Sequence, residues 1–281
     1  MYPNKLTTNT RGLYMERRAI IHKLNQNSYC IDDAGESLSY VVLGSAKAAV
    51  IDTANGRENL LQVVREITDL PLVVINTHGH CDHVFGNVFF EEAYIHPADV
   101  EVHDQHFATK KDVSIPEEIR ARVTEEEIEW FLNAKPCKLI PILPGDIVDL
   151  GDVQLEVIGI PGHTRGSIAL LNKADGYLYS GDAINKGQFW MQLPESIPLE
   201  QYVETLDSLE PYRPYIKELH GGHSVAAFEP EFIDVMRAGI VEIIERGGEG
   251  DGKTPWILGI ADSHEISDGT LVLYDKNKLR K

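Results

Sequence analysis

The sequence predicts an α+β fold, two β-sheets packed face to face with helices outside. Three observations lead there. Short alternating or apolar segments separated by turn residues read as strands. Helix-like segments stand between them. Four of the apolar segments end on His or Asp beside glycine, where the backbone can turn sharply and approach a ligand closely. The chain has 281 residues, enough for a sizeable core, with no internal repeat and no clean boundary, and reads as a single domain over 1–281.

Residues 1–18 are polar and read as an arm or edge segment. Segments 28–33, 38–43 and 48–51 read as three antiparallel strands. A helix over 58–67 leads to a buried strand at 72–75, Leu72-Val73-Val74-Ile75. A second helix is expected at 82–92 and a short strand at 94–95. The stretch 103–134 is charged, helix-prone and free of strand pattern. It reads as a helical insertion over about 103–135, either a lid near the site or a solvated helical pair. Segments 147–150 and 153–160 form a hairpin turning at Gly151-Asp152, and 168–171 with 176–180 form the next. Helices follow at 199–209 and 230–245, with a strand at 215–219 between them. Beyond the glycine-rich stretch 247–252, segments 256–260 and 270–274 read as edge strands of a C-terminal extension over about 247–281.

The chemistry concentrates at Thr77-His78-Gly79-His80-Cys81-Asp82-His83, directly after the buried strand. Imidazoles and a carboxylate are costly there unless something binds them. A metal site is the simplest occupant. His78 and His80 sit two apart, so an extended backbone points both the same way. Four nitrogen and oxygen ligands exceed what one open catalytic ion takes from a protein, so two ions completed by residues elsewhere fit better. Candidate partners stand at later strand ends: Gly162-His163-Thr164, Gly181-Asp182 and Gly222-His223. His220 is a candidate for orienting a ligand, or a structural histidine. His103 and His106 share a helix face within the insertion. Phe189 and Trp190 are pocket-wall or core candidates, and Arg165 is either a contact for an anionic substrate or a surface cation. Alternation turns Cys81 away from the metals. His22, His96 and His264 read as structural.

These motifs, in this order, resemble the ligand set of the metallo-β-lactamase superfamily of hydrolases, over roughly residues 31–223. The resemblance implies an αββα sandwich. It implies that His78, His80 and His163 hold one metal, that Asp82, His83 and His223 hold the second, and that Asp182 bridges them. It also implies that Asp52 supports the metal loop from behind. The HxHxDH form is that of the hydrolytic branch; the flavodiiron branch has Glu at the position of His80. In motif style the glyoxalase II branch, hydroxyacylglutathione hydrolase, is nearest, through Thr77 to His83 and Gly86-Asn87. The tail carries no matching basic cluster for glutathione.

The expected enzyme is a dinuclear metal-dependent hydrolase that uses a metal-bound hydroxide on a small activated ester, thioester or lactone. Asp82 is expected to act both as ligand and as orienter of the nucleophile. The cofactors would be two divalent ions, zinc first, with iron or manganese also suited to imidazole and carboxylate. An alternative is a single-iron sulfur dioxygenase of the same superfamily; a third class is a metal-stabilised binding protein. The net charge of −18, from 44 acidic and 26 basic residues, disfavours nucleic-acid partners. Three Cys form no disulfide framework, and neither a signal peptide nor a membrane-spanning run is visible. The chain is therefore expected to be cytoplasmic and to act on a small molecule, without a membrane partner.

Overall fold

The central strands are buried along nearly their whole length, and successive side chains turn to opposite faces, which builds three apolar layers. The computed structural model describes residues 19–112, 124–249, 251–256, 259–267 and 269–280. The arm read over 1–18 and the middle of the insertion, 113–123, lie outside them. The first sheet runs in order β1 (Ile20–Lys23), β2 (Ser28–Asp32), β3 (Leu38–Leu43), β4 (Ala48–Ile51), β5 (Leu72–Ile75), β6 (Glu92–Ile95) and β7 (Lys138–Pro141). Its first four strands are antiparallel. Helix α1 (Leu60–Ile67) then crosses over, and β4 to β7 run parallel. The second sheet has the order β13-β11-β10-β9-β8, from β8 (Ile147–Asp149), β9 (Gln154–Gly159), β10 (Ile168–Asn172), β11 (Tyr177–Gly181) and β13 (Glu218–Gly221).

One face of the first sheet, with Val41, Val50 and Val74, packs on Leu60, Val63 and Val64 of α1. Its other face, with Tyr40, Val42, Ile51 and Ile75, packs on Leu155, Val157, Leu170 and Tyr179 of the second sheet. The far face of that sheet, with Ile158, Leu171 and Leu178, meets α5 (Leu199–Asp207) and α6 (Phe232–Arg246). This helix–sheet–sheet–helix order is the expected sandwich. Among the strands of the first sheet, α2 (Cys81–Val84) follows β5, and α3 (Val100–Thr109) and α4 (Glu125–Asn133) stand between β6 and β7. The helix α4 opens on a capping box, in which Thr124 and Glu127 satisfy each other's backbone N–H.

Several expectations need correction. The helix expected over 82–92 ends at Val84 and continues as a 3-10 turn, Phe85–Phe89, before β6 begins at Glu92. Gly86 packs against the Thr53 carbonyl and the Asn87 amide bonds Asn76, so tertiary contacts override helix continuation. The strand expected over 215–219 starts only at Glu218, because Pro211 and Pro214 hold Glu210–Tyr215 in 3-10 geometry. Of the segment 256–260, Trp256 ends one strand and Gly259 opens the next, with 257–258 outside the described residues. The extension instead contributes β14 (Gly252–Trp256), β15 (Gly259–Ser267) and β16 (Thr270–Tyr274), which join β12 (Gln188–Met191) in a third sheet of order β12-β16-β15-β14. The strands β1, β7 and β12 have no counterpart in the sequence reading; they are short and carry little alternation.

The edge that carries the motifs is stitched between sheets. Ile168 N donates to Thr77 O at 2.9 Å, Leu38 N to Gly222 O at 2.8 Å, and Tyr40 Oη to Gly221 O at 2.6 Å.

Candidate metal centre

Four chain segments meet at this edge: the turn after β5, the β9–β10 loop, the end of β11 and the end of β13. They bring all seven expected residues into two adjoining clusters. His78, His80 and His163 form the first, and Asp82, His83, Asp182 and His223 the second. Within each, one potential ligand atom per residue lies within 4.8 Å of the others. Glycine permits this closeness. A Cβ on Gly222 would stand 2.3 Å from Asp182 Oδ1, and one on Gly79 would stand 2.7 Å from the Asp99 carbonyl oxygen.

In the first cluster every imidazole has one nitrogen tied and the other turned inward. His163 Nδ1 donates to the Trp190 carbonyl at 2.7 Å, which turns Nε2 inward. His80 Nε2 meets Glu195 Oε1 at 2.7 Å, leaving Nδ1. The Thr77 hydroxyl donates to Asp52 at 2.8 Å, so His78 Nδ1 donates to Thr77 at 3.1 Å and its Nε2 remains. His163 Nε2 and His80 Nδ1 point at each other across 2.8 Å. Two lone pairs aimed at one point suit a shared cation.

The second cluster is charged. His83 Nδ1 donates to Asp52 Oδ2 at 2.8 Å, and its Nε2 lies 3.4 Å from Asp182 Oδ1 and 3.6 Å from Asp82 Oδ2. His223 Nδ1 donates to the Glu36 carbonyl at 2.6 Å, and its Nε2 faces Asp182 Oδ2 at 3.0 Å and Asp82 Oδ2 at 3.5 Å. Asp182 also reaches the first cluster, 3.7 Å from His163 Nε2. Asp52 sits behind both, accepting from Thr77 N at 2.7 Å as well, with its own backbone at φ 59. Asp tolerates that left-handed region better than most residues.

Protonation follows this division. Burial drives His78 well below the usual histidine range, helped by His83 and His80. Burial and His80 lower His163 to about 4. Burial also opposes the charged forms of the second cluster, but is outweighed there. Asp182, Asp82 and Asp52 hold His83 well above its ordinary value, and Asp182 raises His223 to about 9. In turn His223 and His83 hold Asp182 far below the carboxylate range despite burial.

The donor set fits divalent metal. The Nε2 atoms of His78 and His83 and Oδ1 of Asp182 are buried and complete no hydrogen bond among the described residues. Each such group left bare costs about 1–3 kcal/mol, a penalty that coordination removes.

Other candidates stand apart. His220 packs in the core, its ring stacked on Tyr179 at 5.4 Å, and hydrogen-bonds none of the seven. Cys81 belongs to neither cluster, and burial pushes its thiol up to about 12. Phe189 is core, packed on Tyr202 at 5.3 Å, while Trp190 works through its backbone. Arg165 is exposed, 3.4 Å from the Pro194 carbonyl. His106 stands beside His80 at 5.5 Å between ring centres, whereas His103 is buried with Nδ1 at 2.9 Å from Asp104. His22 lies 4.0 Å from Asp32, His96 accepts from Ala98 N, and His264 pairs with Asp251 at 2.9 Å, all away from the clusters.

Sequence reasoning missed Glu195 and Asp99. Asp99 is fully buried and accepts from Gly79 N, Gly166 N and the Thr164 hydroxyl, so it laces the His80 loop to the His163 loop. Neither residue lies near a motif that would have marked it.

Residues 32–221, well over half of the chain, match the family model described as Metallo-beta-lactamase superfamily. The chain belongs to the metallo-β-lactamase superfamily. Acyl-coenzyme A thioesterase MBLAC2 of Bos taurus is 32% identical over 184 residues, covering 60% of this chain and 66% of that protein. A hydroxyacylglutathione hydrolase of Synechococcus sp. (strain JA-2-3B'a(2-13)) is 30% identical over 165 residues, covering 59% and 54%. The chain thus spans less than two thirds of the length of these relatives. Among solved structures, a metallo-beta-lactamase family protein from Thermus thermophilus superposes with a TM-score of 0.58 at 20% identity, covering 83% of this superfamily member and 85% of its own chain. That likeness shows the shared fold.

Proposed function

We propose that this protein is a metal-dependent thioester hydrolase with a two-ion centre. The observation that carries the reading is the pair of adjoining clusters with Asp182 reaching both. His78, His80 and His163 would hold one ion, Asp82, His83 and His223 the other, and Asp182 would bridge. Zinc is the first choice, with iron or manganese compatible with the same donors. The single-iron alternative needs only part of this set.

When bound, the ions supply Lewis acidity toward a carbonyl oxygen and a water ionised near neutral pH. The residues do the rest. Asp82, with its side chain 28% exposed, would accept a hydrogen bond from the attacking water and fix its direction. Asp182 offsets the repulsion between two cations. Asp52, Thr77, Glu195 and the Trp190 and Glu36 carbonyls hold five imidazoles in the tautomers that coordinate. The seven ligand candidates are all committed, and none is reserved as an acid for the leaving group. A thiolate, with a thiol pKa of about 8.5, leaves unaided far better than an alkoxide. Thioesters therefore stand ahead of lactones and other esters. The relatives named for acyl-coenzyme A and hydroxyacylglutathione hydrolysis support this class. The strongly acidic surface speaks for a small-molecule substrate over nucleic acid, and no described helix is long and apolar enough to cross a membrane.

The test is metal content together with thiol release from a panel of acyl-coenzyme A and acyl-glutathione thioesters, with lactone and persulfide arms. Zinc-loaded protein should approach two metals per chain and release thiol, and His78→Ala should not. Full loading without thiol release from any thioester would overturn the assignment; oxygen uptake with persulfide would favour the single-iron alternative.

A further inference from the structure

We infer that the C-terminal extension positions the first cluster, acting through the segment 188–196, with Glu195 and Lys278 as the positioning residues. Two of the three imidazoles in that cluster have their outer nitrogen held by this segment: His163 by the Trp190 carbonyl and His80 by the Glu195 carboxylate. Both holders depend on the extension. Trp190 lies on β12, whose main neighbour is β16, with Trp190 opposite Leu273 in the parallel register. Glu195 lies on the loop that follows. Lys278 Nζ donates there to the carbonyls of Leu193 at 2.6 Å, Pro194 at 3.1 Å and Ser196 at 3.4 Å. An ammonium has three donors, and all three go to the residues that flank Glu195. The clamp continues on both sides. Glu200 N donates to Leu279 O at 3.0 Å, the Ser196 hydroxyl donates to His163 O at 2.8 Å, and Ile197 N to Gly162 O at 3.0 Å.

The second cluster makes no use of this device. His83 is held by Asp52 and His223 by the Glu36 carbonyl, both from the N-terminal half. The family match ends at residue 221, so the extension is an addition to the matched region that reaches back to one half of the centre. A ligand imidazole whose other nitrogen is bound keeps one tautomer and one ring plane, and losing that partner weakens metal binding about 10- to 100-fold. Loosening the extension should therefore weaken the first cluster alone.

This inference rests on the metal reading of the centre, and the experiment separates the two. Zinc is titrated against a competing chelator in wild type, Glu195→Ala, Glu195→Gln, Lys278→Met and Lys278→Arg, with circular dichroism as the check of folding. Cobalt substitution supplies the visible spectrum of each class of site. In Glu195→Ala one class should weaken about 10- to 100-fold, with a shifted spectrum, while the other stays as in wild type. Lys278→Met should move the same class in the same direction. Glu195→Gln, which keeps an acceptor, and Lys278→Arg, which keeps donors, should recover much of it. Equal weakening of both classes, or unchanged binding in Glu195→Ala and Lys278→Met, would overturn the inference. Wild type that takes up no zinc would overturn the metal reading itself. If Lys278→Met does not fold, the Glu195 pair decides.

Discussion

Both halves of the centre are built around imidazoles but solve opposite electrostatic problems. The first is three imidazoles; His78 and His163 there are buried and driven toward the neutral form by burial and by neighbouring imidazoles such as His80. The second places His83 and His223 against Asp82 and Asp182, and there the carboxylates win over burial and favour imidazolium. Metal binding needs neutral imidazole. One half is therefore ready for a cation, while the other must first release protons held by its own carboxylates. The difference teaches that ligand identity alone does not set how a site loads; the count of neighbouring charges does.

Removing the residue common to both halves should have the largest effect. Asp182→Ala takes away the proposed bridge and the main counter-charge of His223 and His83. Loss of metal from both classes and of nearly all hydrolysis is expected, with the fold retained by circular dichroism. Retention of both metals and most of the rate would show that the halves are independent.

A smaller effect separates the halves by pH. His223, raised to about 9, and His83, held well above its ordinary value, keep protons that a metal must displace, so affinity of the second class should climb as pH rises toward 9. His163, lowered to about 4, and His78, lowered well below its ordinary value, hold no proton to displace in that window, so the first class should change less than the second. Calorimetric titration in buffers of different ionisation heat counts the protons released by each class. In the metal-free protein the same shifts act on stability with opposite signs. The contribution of His223 is present in full below 6.5 and lost as pH rises through about 9; that of His163 is present above 6.5 and lost as pH falls through about 4. Melting curves of His223→Ala and His163→Ala apoproteins should each flatten only its own arm.

The smallest effect concerns the insertion. His106 touches the first half by ring contact with His80 and binds neither cluster. His106→Ala should leave metal content unchanged and shift KM modestly. A KM and substrate profile identical to wild type would assign the described part of the insertion to solvated packing rather than to a lid.

What the sequence by itself determined was the inventory of the centre. His78 through His83 follow a buried strand, and His163, Asp182 and His223 each stand beside glycine at a later strand end. Such a pattern is local and dense, so it survives without coordinates, and so does the sandwich, because alternating apolar segments specify which faces must be covered. The tertiary structure alone decided how each imidazole is held. The partners are backbone carbonyls at Trp190 and Glu36, which carry no side-chain signal, and carboxylates such as Glu195, which lies 115 residues from His80. The protonation contrast was likewise invisible in sequence, since it depends on which charges lie within a few ångströms after folding. The clamp by Lys278 belongs to the same class: a tail lysine carries no sign of its partners until the chain returns to the loop beside His80 and His163.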